Sequence, residues 1–199
     1  TEPHLKAEER TDEVLMAELS RGRETALAEL VRRYQHDIYR FCLHYLKDAE
    51  TARDMAQETF IRVYTASGRF DVNRKFKPWV LCIARNLCLN ELKKKRALPM
   101  ETLEDYASAS REESGEIVRY SGSGPDEILM TRERLELLER ALNNLGDEAR
   151  ELIVLRFFER LPAKEIAEVM GGTDGAVRTK LHRVLVALRE QYAICKDDL

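Results

Sequence analysis

Apolar residues recur at three- and four-residue intervals along most of this chain, the period of helices with one buried face. Thr11 or Asp12 can cap a first helix whose stripe is Val14, Leu15 and Leu19, ending near Gly22. A longer run, Leu27, Leu30, Val31, Tyr34, Ile38, Phe41, Cys42 and Tyr45, predicts a helix of about five turns. Asp48 then caps a third helix. Ala52, Met55, Ala56, Thr59, Phe60 and Val63 turn inward, and Glu50, Asp54, Gln57, Glu58 and Arg62 stay outside. Gly68 ends it. Pro78 starts a fourth helix that is apolar nearly all round (Trp79, Val80, Leu81, Ile83, Ala84, Leu87, Cys88, Leu89, Leu92), which suits the centre of a bundle. Arg85, Asn86 and Asn90 are its polar exceptions, and it closes on Lys93, Lys94, Lys95 and Arg96. A helix C-terminus favours cations, but four in succession exceed what its dipole needs and make a phosphate-binding patch a reasonable reading.

Between Ala97 and Glu127 the period is lost and the composition turns to Ser, Gly and acid. Eight acids stand there against two bases, so the rest of a chain whose total charge is −3 carries +3. This reads as a flexible acidic tether with a relaxed span on the order of 30 Å. Helical periodicity resumes near Ile128 with Leu135, Leu138, Leu142 and Leu145, and stops at Gly146. Asp147 can cap the next helix, with Leu152, Ile153 and Leu155 inside and Phe157 and Phe158 closing the core. The expected fold is therefore all-α: two small helical domains, 12–96 and 128–199, after a polar extension 1–11 and joined by a linker 97–127.

The last stretch, Leu161 to Arg189, has the form of a helix-turn-helix. Pro162 suits the first turn of a short helix striped by Ile166, Ala167 and Met170. Gly171 and Gly172 supply a break that tolerates positive φ, and Thr173 or Asp174 can cap a second helix. In that helix Val177, Leu181, Val184, Leu185 and Leu188 make the buried stripe. The opposite side carries Gly175, Ala176, Thr179, His182, Arg183 and Val186, with Arg178 and Lys180 on the flanks. From Gly175 to Arg189 this helix has no acid. A slender basic helix after a glycine turn can enter a major groove, cations to phosphates and central side chains to base edges. The plainer alternative is a solvated surface helix.

With 199 residues, 44% hydrophobic and 35% charged, the chain can build two cores but is not globally basic, so DNA affinity has to come from local patches. No apolar run is long enough for a membrane span and no signal-like segment opens the chain, so a cytoplasmic protein without membrane insertion is expected. The cysteines (Cys42, Cys82, Cys88, Cys195) form no CxxC pair and read as small buried thiols. No nucleophile–base set, metal-ligand spacing or phosphate-cradling glycine loop is visible. We therefore expect no catalytic residues, no metal, no cofactor and no enzyme activity.

Two surface features stay open on the residues alone. Asp54, Gln57 and Glu58, spaced i, i+3 and i+4, form one polar patch that is either solvated or a partner site. The loop Arg69 to Lys77 interleaves Phe70 and Phe76 with four bases. That suits stacking and phosphate contacts on single-stranded nucleic acid, or simply two rings pinning a loop to the core.

Three segments together resemble the sigma factors of bacterial RNA polymerase, specifically the small extracytoplasmic-function (group IV) type. They are YQHDIYRFCLHYLKDAETARDMAQETFIRVY, GRFDVNRKFKPWVLCIARNLCLNELKKKR and LPAKEIAEVMGGTDGAVRTKLHRVLVALRE, with a tether between the second and third. The resemblance implies a sigma-2-like bundle and a sigma-4-like helix-turn-helix domain. It implies that Asp54, Gln57 and Glu58, with neighbouring Arg62, dock on core RNA polymerase. It assigns Arg69, Phe70, Asn73, Lys75, Phe76 and Asn86 to capture of a flipped base of the minus-ten element. Arg85, Asn90, Lys93, Lys94 and Lys95 would hold the backbone there. Arg178, Thr179, Lys180, His182 and Arg183 would bind the minus-thirty-five element of promoter DNA, and an anti-sigma factor is a further implied partner. One departure is local: where the family often has Ser-Val-Gly-Thr-Val, this chain has Thr173-Asp174-Gly175-Ala176-Val177, placing an acid near phosphates. The competing reading is a stand-alone helix-turn-helix transcriptional regulator, which would bind duplex DNA tightly by itself, usually as a dimer.

Overall fold

The computed structural model describes residues 10–97 and 144–197. The expected N-terminal extension up to residue 9, the tether from residue 98 on and the stripe Leu135, Leu138 and Leu142 lie outside the described residues. All regular structure among the described residues is helical. It forms two compact units, one built on four helices and one on three.

The first unit begins with α1 (Asp12–Leu19), whose N-cap Thr11 accepts the Val14 N–H through its hydroxyl at 3.3 Å. Leu15, Met16 and Leu19 are buried. Val14, expected inside, is exposed, because on two turns of helix the face centred on Leu15 and Leu19 rotates it outward. Gly22 takes φ +85° and turns the chain into α2 (Glu24–Leu46), which buries Ala26, Leu30, Ile38, Phe41, Cys42 and Leu46. Asp48 caps α3 (Ala49–Ala66), its carboxylate accepting the Thr51 N–H at 2.8 Å. A single 3₁₀ turn, Ser67–Arg69, comes next.

α4 (Phe76–Ala97) starts two residues earlier than the proline suggests. The Phe76 N–H donates to the Glu13 carboxylate of α1 at 3.2 Å, so a side chain from another helix satisfies that end. Pro78 then sits in the first turn, where its missing N–H costs nothing. α4 packs on α1, α2 and α3, burying Phe76, Val80, Leu81, Ala84, Leu87 and Cys88. It is not enclosed all round, since Asn86 and Asn90 are exposed. Cys42 and Cys88 meet across α2 and α4, and the Cys42 thiol, hydrogen-bonded to Cys88 and buried, is pushed far above the ordinary thiol range. Polar contacts tie α1 to α2: Arg33 donates to Asp12 at 2.8 Å and to the Arg10 carbonyl at 2.9 Å, and the Tyr34 hydroxyl donates to Asp12.

In the second unit, α5 (Asp147–Ile153) runs into a π turn, Val154–Phe158, closed by the Glu159 N–H on the Val154 carbonyl at 3.0 Å. Leu152, Ile153, Val154 and Leu155 are buried. Phe157 and Phe158, expected to close the core, are instead 53% and 41% exposed. The π turn adds a residue to the repeat and carries both rings off the buried face. α6 (Ala163–Met170) has Pro162 at its N-cap, one position before the expected first turn, and buries Ile166, Ala167 and Val169. Gly171 takes φ +73°, and its N–H and that of Gly172 both reach the Ala167 carbonyl at 3.0 Å. That left-handed turn launches α7 (Asp174–Asp197).

Candidate functional site

On the first unit the outer face of α3 meets α4 along two adjoining grooves. One, of about 740 Å³, is walled by Asp54, Gln57, Glu58 and Arg62 of α3 and by Leu87, Asn90 and Lys94 of α4. The other, of about 530 Å³, runs on past Trp79, Ile83 and Asn86. Glu58, Ile61 and Arg62 belong to both. Arg62 Nε donates to Glu58 at 2.9 Å, which fixes the polar rim. Ile61 is 57% exposed at the junction of the grooves, and the neighbouring Tyr64 is also exposed. Sequence reasoning missed both. The signal was present: Asp54, Gln57, Glu58 and Ile61 fall at i, i+3, i+4 and i+7, one continuous outward stripe.

The loop before α4 combines exposed and anchored positions. Arg69, Asn73 and Lys75 are exposed. Asn73 is held by Asp71, whose carboxylate accepts both its backbone N–H and its side-chain amide at 3.0 Å. These bonds keep the Asp71 carboxyl below the ordinary range. Phe76 is fully buried and Phe70 nearly so. Phe70 packs edge-on against Trp79 at 4.9 Å, and Phe76 edge-on against Tyr34 at 5.1 Å. Both rings are committed to an aromatic cluster that anchors the loop. Along α4, Asn86, Asn90, Lys93 and Lys94 are exposed and Arg85 is half-buried. Asn86 Nδ2 lies 3.8 Å from Cys82 Sγ, and Lys94 pairs with Glu91 at 3.3 Å. Lys95 turns inward, its Nζ donating to the Thr51 hydroxyl at 3.3 Å.

α7 shows two faces. Val177 and Leu181 are buried, while Gly175, Ala176, Thr179, His182, Arg183 and Val186 are all exposed, as are Arg178 and Lys180. Leu185, expected in the buried stripe, is 42% exposed. α5 meets α7 near its start, where Lys180 pairs with Glu148. Thr173 caps the helix, its hydroxyl accepting the Ala176 N–H at 3.3 Å. Arg178 is paired with Asp174 and Lys180 with Glu148 of α5. The Asp174 bond raises the Arg178 pKa, so the guanidinium is charged at any working pH.

Among the described residues no cluster of His, Cys, Asp or Glu could hold a metal ion, and no helix is long and apolar enough to cross a membrane.

Two family models match: Sigma-70 region 2 over residues 30–98, and Sigma-70, region 4 over residues 135–188. The chain is 32% identical over 179 residues to the ECF RNA polymerase sigma factor SigW of Bacillus subtilis (strain 168), covering 87% of this chain and 92% of that one. It is 30% identical over 182 residues to the ECF RNA polymerase sigma-E factor of Escherichia coli (strain K12), covering 92% and 94%. A solved structure of the sigma factor RpoE from Bartonella quintana, in complex with the anti-sigma factor NepR, has a similar fold. Its TM-score is 0.62 at 18% identity, covering 84% of this chain and 96% of that one. Two family matches in the order of the two helical units, and relatives aligned over nearly their whole length, lead to one conclusion: this chain belongs to the extracytoplasmic-function sigma factors of bacterial RNA polymerase.

Proposed function

We propose that the two units divide the work of promoter recognition. α7 of the second unit lies in the major groove of the minus-thirty-five element, with Thr179, His182 and Arg183 on base edges and Arg178 and Lys180 beside them. The exposed, acid-free face from Gly175 to Val186 is the observation that carries this reading. In the first unit, the loop bearing Arg69, Asn73 and Lys75 and the start of α4 receive an unstacked base of the minus-ten element. Asn86 offers its amide to that base, while Arg85, Asn90, Lys93 and Lys94 track the backbone. A loop suits this task because a flipped base exposes its Watson–Crick edge and can be pocketed. Phe70 and Phe76 position the loop from beneath.

The outer face of α3 (Asp54, Gln57, Glu58, Ile61, Arg62) is the docking surface for core RNA polymerase. An exposed isoleucine inside a hydrogen-bonded polar rim is the composition of a protein contact. The same faces offer an anti-sigma factor a means of inhibition, in line with the NepR complex of the Bartonella protein. The chain supplies recognition and the polymerase supplies the chemistry, so we assign it no enzyme activity, no cofactor and a place in the cytoplasm with that enzyme.

Single substitutions separate these roles. Arg183→Ala should cost about 1–3 kcal/mol, and only on promoters with an intact upstream element. Asn86→Ala should impair promoter opening while leaving core association intact. Equal loss of core affinity for Asn86→Ala, or an Arg183→Ala effect that survives scrambling of the upstream element, would contradict the assignment.

A further inference from the structure

Asp174 reads at first as a liability, a negative charge where a DNA backbone has to pass. Its geometry indicates a use. Arg178 Nε donates to Asp174 Oδ1 at 3.1 Å, and Arg178 Nη2 lies 2.8 Å from Oδ2. The carboxylate thus takes the side edge of the guanidinium, the one formed by Nε and Nη2. A guanidinium presents five N–H groups in a fixed planar fork. Its end edge, one N–H from each Nη, is not engaged by Asp174 and keeps the spacing that matches O6 and N7 of guanine.

Helix capping does not account for the acid, because Thr173 already caps α7. Fold stability accounts for little of it, because the Arg178 side chain is 72% exposed and an exposed ion pair stabilises a fold only slightly. Phosphate affinity argues the other way: a cation already paired with a carboxylate has little net charge to offer a phosphate. What the pair does supply is direction, since one side chain with many rotamers is held in a single orientation before DNA arrives.

We propose that Asp174 is a positioning residue that aims the end edge of Arg178 at a guanine of the upstream promoter element, so that Arg178 contributes base specificity and not backbone affinity. The proposal rests on the reading that α7 lies in the major groove of that element.

The test uses the full chain on core polymerase, with a promoter found by sequencing the transcripts that this holoenzyme makes. Guanines of the upstream element are replaced one at a time by 7-deazaguanine, which keeps base pairing and removes the N7 acceptor. Wild-type holoenzyme should lose roughly tenfold in initiation at one such guanine. Arg178→Ala should lose that sensitivity. Asp174→Asn should reduce it to about twofold and steepen the salt dependence by about one phosphate contact. Asp174→Glu, which can still reach i+4, should restore the discrimination. Thermal melting of the variants checks that the fold is intact.

If Asp174→Asn keeps the tenfold discrimination, or raises initiation on every sequence alike, Asp174 aims nothing and the proposal is overturned while the groove reading stands. If the wild-type holoenzyme is indifferent to every upstream base, the groove reading fails and the proposal with it.

Discussion

Tyr34 joins two kinds of interaction at one position: its ring lies edge-on to Phe76 at 5.1 Å and its hydroxyl donates to Asp12. Burial and that bond push its phenol well above the ordinary tyrosine range, so it stays a donor across physiological pH. Tyr34→Phe keeps the ring and should cost about 1 kcal/mol, since Asp12 retains Arg33. Tyr34→Ala removes the ring as well and should cost about 3 kcal/mol. Equal losses in urea melts would show that the ring does not anchor the loop. Glu29 supplies a pH-dependent contribution nearby. Hydrogen bonds from Arg32 and Arg33 hold its carboxyl down at about 2, from an ordinary 4.5. Because the folded value is depressed, the stability it adds is present above about 4.5 and is lost as pH falls toward about 2. Glu29→Gln should therefore flatten the acid limb of the stability curve in that window. An unchanged limb would mean that these arginine bonds do not persist in solution.

Helix by helix, what the sequence made legible depended on whether the period was regular. Asp48 and Thr11 cap where the residue types require, and the exposed side of α7 is the one that 100° steps place there. Phe157 and Phe158 could not be placed the same way, because a π turn changes the repeat and leaves no residue-type signature. Leu185 fails for another reason. A stripe says which face can be buried, but not how far along the helix a partner covers it, and Leu185 is 42% exposed. The loop aromatics were ambiguous because rings that stack on bases and rings that pin a loop have the same composition. The contacts among Phe70, Phe76, Trp79 and Tyr34 show the rings pinning the loop, which composition alone does not reveal. Ile61 on α3 was legible by position, at i+7 of the outward stripe begun by Asp54, but not by residue type, because an isoleucine reads as core. Being 57% exposed, it should tolerate truncation: Ile61→Ala should change thermal stability by less than about 0.5 kcal/mol. The same change should weaken core polymerase binding by more than about fivefold, as for an interface centre. Unchanged affinity would move the docking surface elsewhere.

At the scale of the molecule, two small all-α units that each present one committed face make a divided grip on promoter DNA intelligible. Net charge is −3 overall, and the basic side chains gather on α7, on the loop before α4 and at the end of α4. Local cation patches in an otherwise acidic chain favour binding only where both units find their sites, which suits a protein that has to ignore most DNA. The central claim is that this grip works through the polymerase. It is tested most directly by run-off transcription with purified core enzyme on promoter templates, with and without this chain. The account predicts transcripts with one defined start only when both are present, and weak duplex binding by the chain alone. No initiation from the combination, or tight sequence-specific duplex binding by the isolated chain, would contradict it.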